Sequence, residues 1–140
     1  MKKILLFISI IIIPILLTGC FNNKTKLIEN KDYFIKGEFT GKYLDTAKRG
    51  YYIDTLNEPG APYFYIICMG EKNTGGYSLK IKEVNKVDDK TEIIVEEVTP
   101  SEGDMVTMAF TYPTIIVEFP KYQENIVINN TKGELFDLLD

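Results

Sequence analysis

YSLKIKEVNKVDDKTEIIVEEV, residues Tyr77 to Val98, is the stretch on which the fold class turns. In its first half Tyr77, Leu79 and Ile81 point one way while Ser78, Lys80 and Lys82 point the other, a period of two that a strand shows and a helix does not. Asp88-Asp89-Lys90 interrupts the run with residues that suit a hairpin connection. The second half places Ile93 and Val95 together and Ile94 and Glu96 opposite. Two alternating runs joined by a tight polar break predict a β-hairpin with one face in a core and the other in water.

Outward from this hairpin the same grammar repeats. Apolar, aromatic and β-branched runs at Tyr33 to Phe39, Gly50 to Thr55, Tyr63 to Met69, Met105 to Thr111, Thr114 to Phe119 and Asn125 to Asn129 read as further strands, with the hairpin itself at Tyr77 to Val87 and Thr91 to Thr99. Ile115, Val117 and Phe119 alternate again. Asn57-Glu58-Pro59-Gly60-Ala61-Pro62 and Pro100-Ser101-Glu102-Gly103-Asp104 are breaks by composition. The expectation is one all-β domain over residues 33–140, an antiparallel β-sandwich-like fold or a partly open barrel. Lys132 to Asp140, carrying Leu135, Phe136, Leu138 and Leu139, is expected to close an open edge as a short C-terminal helix of one turn or two.

The other end of the chain has a different character. Lys2 and Lys3 precede an apolar stretch from Ile4 to Leu17, followed by Thr18, Gly19 and Cys20, the plan of an export signal. That stretch would span about 21 Å as a helix, short of the ~30 Å hydrocarbon core of a bilayer. Leu17-Thr18-Gly19-Cys20 resembles a bacterial lipobox, which implies a leader over residues 1–19, cleavage before Cys20 and a diacylglycerol on its sulfur. Two or three acyl chains hold a protein on a membrane durably. The expected location is therefore the extracytoplasmic face of the cell membrane, with Cys20 and the polar segment to Asp32 as a lipidated tether.

Composition removes several function classes. The net charge of −4 becomes −6 once Lys2 and Lys3 leave with the signal, and basic residues are interleaved with acids, so nucleic acid is not an expected partner. The chain has no histidine, which rules out Ser-His and Cys-His nucleophile pairs and the usual zinc ligand. Gly76-Tyr77-Ser78-Leu79-Lys80 lacks the second glycine of a hydrolase elbow. Glu96 and Glu97 alternate across a strand, so their carboxylates diverge. No catalytic residue, metal site or cofactor is expected. Cys68, alone in an apolar run once Cys20 is lipidated, reads as a small core hydrophobe.

The segment that stands out is Gly70 to Ser78. Its paired glycines allow a tight shape with exposed amides between two strands. Lys72, Asn73, Thr74, Gly75, Gly76 and Tyr77 are the candidate contact residues there, joined by Tyr112 and Pro113, a rigid aromatic loop between later strands.

These residues also carry a resemblance. An apolar strand ending in Met69-Gly70-Glu71-Lys72, then Thr74-Gly75-Gly76-Tyr77-Ser78, a hairpin ending in Glu96-Glu97, then Gly103-Asp104 and Thr111-Tyr112-Pro113 before Ile116-Val117-Glu118 together resemble the PrcB C-terminal domain family over residues 63–120. Asn73 stands where that family usually has proline. The resemblance implies a non-catalytic β domain, often on lipoproteins, of an accessory subunit that associates with and stabilises a surface protease. Asn73-Thr74-Gly75-Gly76-Tyr77 is also similar to the loop that chagasin-type inhibitors insert into a cysteine protease cleft. The expectation is a membrane-anchored binder of a protein partner, a protease or protease complex. A different class, a glycan- or small-ligand-binding module, is suggested by nine tyrosines that could stack on sugar rings.

Overall fold

A computed structural model describes residues 44–140 fully and, before them, the backbone of two short strands at Lys26–Leu27 and Phe34–Lys36. The expected leader, Cys20 and the rest of the tether lie outside the described residues. Among the described residues eight strands are formed: β1 (Lys26–Leu27), β2 (Phe34–Lys36), β3 (Arg49–Thr55), β4 (Tyr63–Met69), β5 (Ser78–Val87), β6 (Lys90–Val98), β7 (Thr114–Phe119) and β8 (Asn125–Asn130). They make two four-stranded sheets, one ordered β1-β5-β6-β8 and the other β2-β7-β4-β3. The described residues contain no helix. The domain is an open, sandwich-like all-β fold.

The hairpin forms as its alternation requires, with Asp88 in the left-handed region (φ 56°) that a short polar side chain tolerates in a tight turn. A β-bulge between Ile81 and Glu83 then shifts the pairing by one residue. Lys82 stays outside, 3.5 Å from Glu96, and Val84 rather than Glu83 joins Leu79 and Ile81 on the apolar side. In the second sheet β4 is central and buried on both faces. Tyr65, Ile67 and Met69 enter the main core with Leu79, Val84, Ile93, Val95, Val117, Phe119 and Ile128. Ile66 and Cys68 face outward into a smaller cluster with Tyr52 and Ile116, covered by Leu44, Phe64 and Leu139. A continuous apolar run rather than an alternating one is the mark of such a doubly covered strand. Tyr65 and Phe119 meet edge to face with ring centroids 5.4 Å apart.

Four expectations are corrected. The sheets are not wholly antiparallel, because β6 and β8 pair in parallel. The chain between them crosses to the other sheet to make β7 and returns, and such a long crossover is what parallel pairing needs. Met105 to Thr111 is not a strand. Among the described residues its only β-bridge is the isolated antiparallel one between Lys72 and Thr111. Lys132 to Asp140 forms no helix either. It runs extended, because backbone partners on two strands outcompete one marginal helical turn. Finally, the tether expected through Asp32 is interrupted at Lys26–Leu27, which pair with Lys86 and Asn85 of β5. Sequence pattern is weak there, and the open edge of β5 supplies the bonds.

The extended C-terminal segment does close an edge, as a strap between the two sheets. Asn130 and Phe136 donate their backbone N–H groups to Glu134 and Ile128 on the β8 side, while Tyr51 of β3 donates to Asp137 (2.9 Å) and accepts from Leu139 (2.8 Å). Gly50 lets the strap approach, since a Cβ there would lie 2.6 Å from the Asp137 carbonyl oxygen. Arg49 clamps the crossing. Its guanidinium donates to both Glu97 carboxylate oxygens (3.2 Å each) and to the Leu135 carbonyl (2.7 Å), and it stacks 3.9 Å over the Phe136 ring. Burial works against the Glu97 carboxylate, but hydrogen bonds from Arg49 and Asn130 outweigh it and hold the carboxyl below the usual glutamate range.

Candidate functional site

Strands β4 and β6 end, and β5 and β7 begin, at one end of the sandwich, as the pairs Cys68 with Thr114 and Ser78 with Val98 show. The loops that leave there, residues 70–77 and 99–113, are far apart in sequence and are fastened together by backbone. Lys72 and Thr111 exchange N–H to carbonyl bonds, both 2.9 Å, and Gly75 donates to Thr107 (2.9 Å). The Thr111 hydroxyl donates to the Thr74 carbonyl (2.7 Å), and Met69 donates to the Pro113 carbonyl (2.9 Å). The structure thus gathers Lys72 to Tyr77 with Tyr112 and Pro113 into one cluster.

The glycines earn their positions in different ways. Gly76 sits at φ +86° with Val106 Cγ1 and Pro100 Cβ 2.8 and 2.9 Å from where a Cβ would be, so both its conformation and its surroundings demand glycine. Gly75 is pressed against Thr107, whose Oγ1 a Cβ would strike. Gly70, at φ +83°, turns the chain out of β4 beside the Ala47 carbonyl. A loop pinned in this way is preorganised, so that little conformational entropy is lost when it meets a partner.

The side chains differ in availability. Tyr77 is half-buried and packs against the main core, with the Lys72 ammonium 5.6 Å from its ring centroid. Asn73 is exposed. Tyr112 is exposed, and its hydroxyl donates to Glu71 Oε2 (2.9 Å). Within this cluster Tyr112 is therefore the aromatic presented outward, and Tyr77 the one that supports the loop.

Sequence reading missed the most exposed members of the end. Met105, Met108 and Phe110 are 102%, 87% and 63% exposed, all on the loop that leads to Tyr112. Reading Met105 to Thr111 as a strand implied half-burial. The Gly103-Asp104 break just before them was legible, but a break does not tell whether the apolar residues after it will be covered. Scattered apolar residues on a surface are ordinary, but three within six positions beside a rigid glycine loop are a concentrated apolar surface.

What this end offers chemically is a surface for contact. Its polar groups are backbone amides, threonine, serine and tyrosine hydroxyls, the Asn73 amide, Lys72 and the carboxylates of Glu71, Glu102 and Asp104. Among the described residues no group of three His, Cys, Asp or Glu side chains could hold a metal ion. Cys68 is buried and free, and burial pushes its thiol pKa up, so it is held as the unreactive thiol. Burial also raises the Tyr65 phenol to about 12, and its oxygen accepts from the Gln123 backbone N–H (3.0 Å). Both belong to the core.

At the opposite end, loop 56–62 and residues 120–122 surround an open depression of about 630 Å³, in which Tyr63 and Tyr122 lie with ring centroids 5.3 Å apart.

Residues 63–120 match the profile of the family described as PrcB C-terminal. The match begins with β4 and ends one residue past β7, so it contains the whole loop cluster and leaves out β3, β8 and the strap. No curated protein and no solved structure matches the chain.

Proposed function

Since residues 63–120 match the PrcB C-terminal family profile, we propose that this chain is a lipid-anchored surface protein whose non-catalytic domain binds a protein partner, as an accessory or stabilising subunit of a secreted or surface protease. The observation that carries the reading is the pinned pair of loops at one end of the sandwich. It offers a preorganised surface with an aromatic side chain and backbone, the kind of feature that dominates protein recognition. The family resemblance supplies the protease, and the lipobox at Leu17 to Cys20 supplies the anchor.

The test is a crosslinking pull-down from intact cells with the anchored chain as bait, against a variant carrying Gly76→Val and Tyr112→Ala. Enrichment of a protease by the parent alone supports the reading. Equal enrichment by a folded variant, or no specific protein at all, removes it.

A second reading, a glycan or small-ligand module, draws on the Tyr63 and Tyr122 pair at the far end, where Tyr122 is half exposed above the depression. Purified cell-wall glycan fragments should then bind with no protein present, and Tyr122→Ala should abolish that binding. Binding that survives Tyr122→Ala eliminates this site.

A further inference from the structure

Strand β1 fixes the end at which the preceding chain enters the domain. Its Lys26 and Leu27 pair with Lys86 and Asn85, near the β5–β6 hairpin, and the pairing is antiparallel, so the chain before Lys26 leaves at the hairpin end. The loop cluster lies at the other end, beyond Ser78. From Lys86 back to Ser78 is roughly 25 Å of strand, and Met105, Met108 and Phe110 belong to a loop at that far end. Residues 20–25, however they run, reach at most about 20 Å. An anchor on Cys20 would therefore enter the domain at the end opposite these side chains.

We propose that the Met105, Met108, Phe110 and Tyr112 loop, at the end opposite the tether's entry, is the domain's docking surface for an apolar cleft with a basic rim on a protein partner. The orientation rests on the anchored reading above. The cleft must be apolar because the loop's most exposed side chains are two methionines and a phenylalanine. Methionine adapts its shape to an irregular surface, and the aromatics supply contact area at low entropic cost. The rim is set by charge. Glu71, Glu102 and Asp104 are exposed around the loop, against Lys72, so a basic partner surface is steered toward it and an acidic one repelled.

The experiment uses the full chain in membranes of the cells that make it, with a benzophenone amino acid at Met108 or, at the opposite end, at Glu124. Irradiation should give a protein adduct from position 108 alone, lost when Phe110→Ser is added. The adduct's protein, once purified, should bind the detergent-solubilised full chain at least about ten-fold more weakly when Met105 and Phe110 are both serine, with the thermal melt unchanged. Glu102→Gln with Asp104→Asn should slow that association. Phospholipid adducts at position 108, equal protein adducts from 124, or none while the parent stays in the membrane fraction would each overturn the proposal. An unchanged association rate in the Glu102 and Asp104 variant would remove the basic rim. If the parent leaves the membrane without detergent, the anchored reading fails separately and the orientation falls with it.

Discussion

Replacing Arg49 by Met and Glu97 by Gln, singly and together, should expose how the C-terminal strap is locked. The two guanidinium bonds to Glu97 are 3.2 Å, longer than ideal charge-assisted bonds, and the side chains of Arg49 and Glu97 are 33% and 16% exposed. Solvent-exposed ion pairs are worth about 0.2–1 kcal/mol and hydrogen bonds to charged groups about 1.5–3 kcal/mol, so a coupling of about 1 kcal/mol is expected between these two. Arg49→Met alone should cost about 2–3 kcal/mol, because it also removes the bond to the Leu135 carbonyl and the stacking on Phe136. Urea unfolding of the four proteins gives the coupling directly. Its pH dependence has a definite sign. Glu97 has a folded pKa below its unfolded value of about 4.3, so the stabilisation is complete above that value and is lost as pH falls through the lower folded one. A coupling within about 0.3 kcal/mol of zero at neutral pH, or one that survives acidification, would refute the clamp and leave the strap to its backbone bonds and Phe136.

Other consequences can be measured on the same domain. Phe136→Ala should destabilise by about 3–5 kcal/mol in urea, since the ring is 3% exposed and belongs to the main core although it lies in the strap. Gly76→Val should lower the melting temperature and weaken partner capture together, because it adds strain at φ +86° and a clash with Val106 and Pro100. Tyr112→Phe should change stability by no more than about 0.5 kcal/mol, its bond to Glu71 being exposed; a larger loss would make Tyr112 a structural residue. Cys68 should resist a thiol reagent in buffer and react fully in urea, at a rate that follows unfolding, whereas rapid labelling of the native protein would contradict its burial.

Much of the sheet was legible because alternation is a local property of the chain. Tyr63 to Met69 and Thr114 to Phe119 form strands with the bounds read from sequence, and the hairpin at Tyr77 to Val98 needed only its own residues and turn. The bulge at Lys82 was not legible, because it is the partner strand that decides which residue is skipped. At the candidate site, composition pointed to Gly75, Gly76 and Tyr112-Pro113. It could not show that Thr107 and Thr111 bond to Gly75, Lys72 and Thr74 more than thirty residues away, nor that Tyr77 faces the core and Tyr112 the solvent.

By itself, then, the sequence determined the central hairpin, the strands Tyr63 to Met69 and Thr114 to Phe119 and the breaks between them, since each depends on steric and solvation preferences of neighbouring residues. Tertiary structure alone decided the parallel pairing of β8 with β6, the extended strap in place of a helix, and the exposure of Met105, Met108 and Phe110. Each of these depends on backbone groups and surfaces supplied by distant segments, and an apolar side chain carries no local mark of whether anything will cover it.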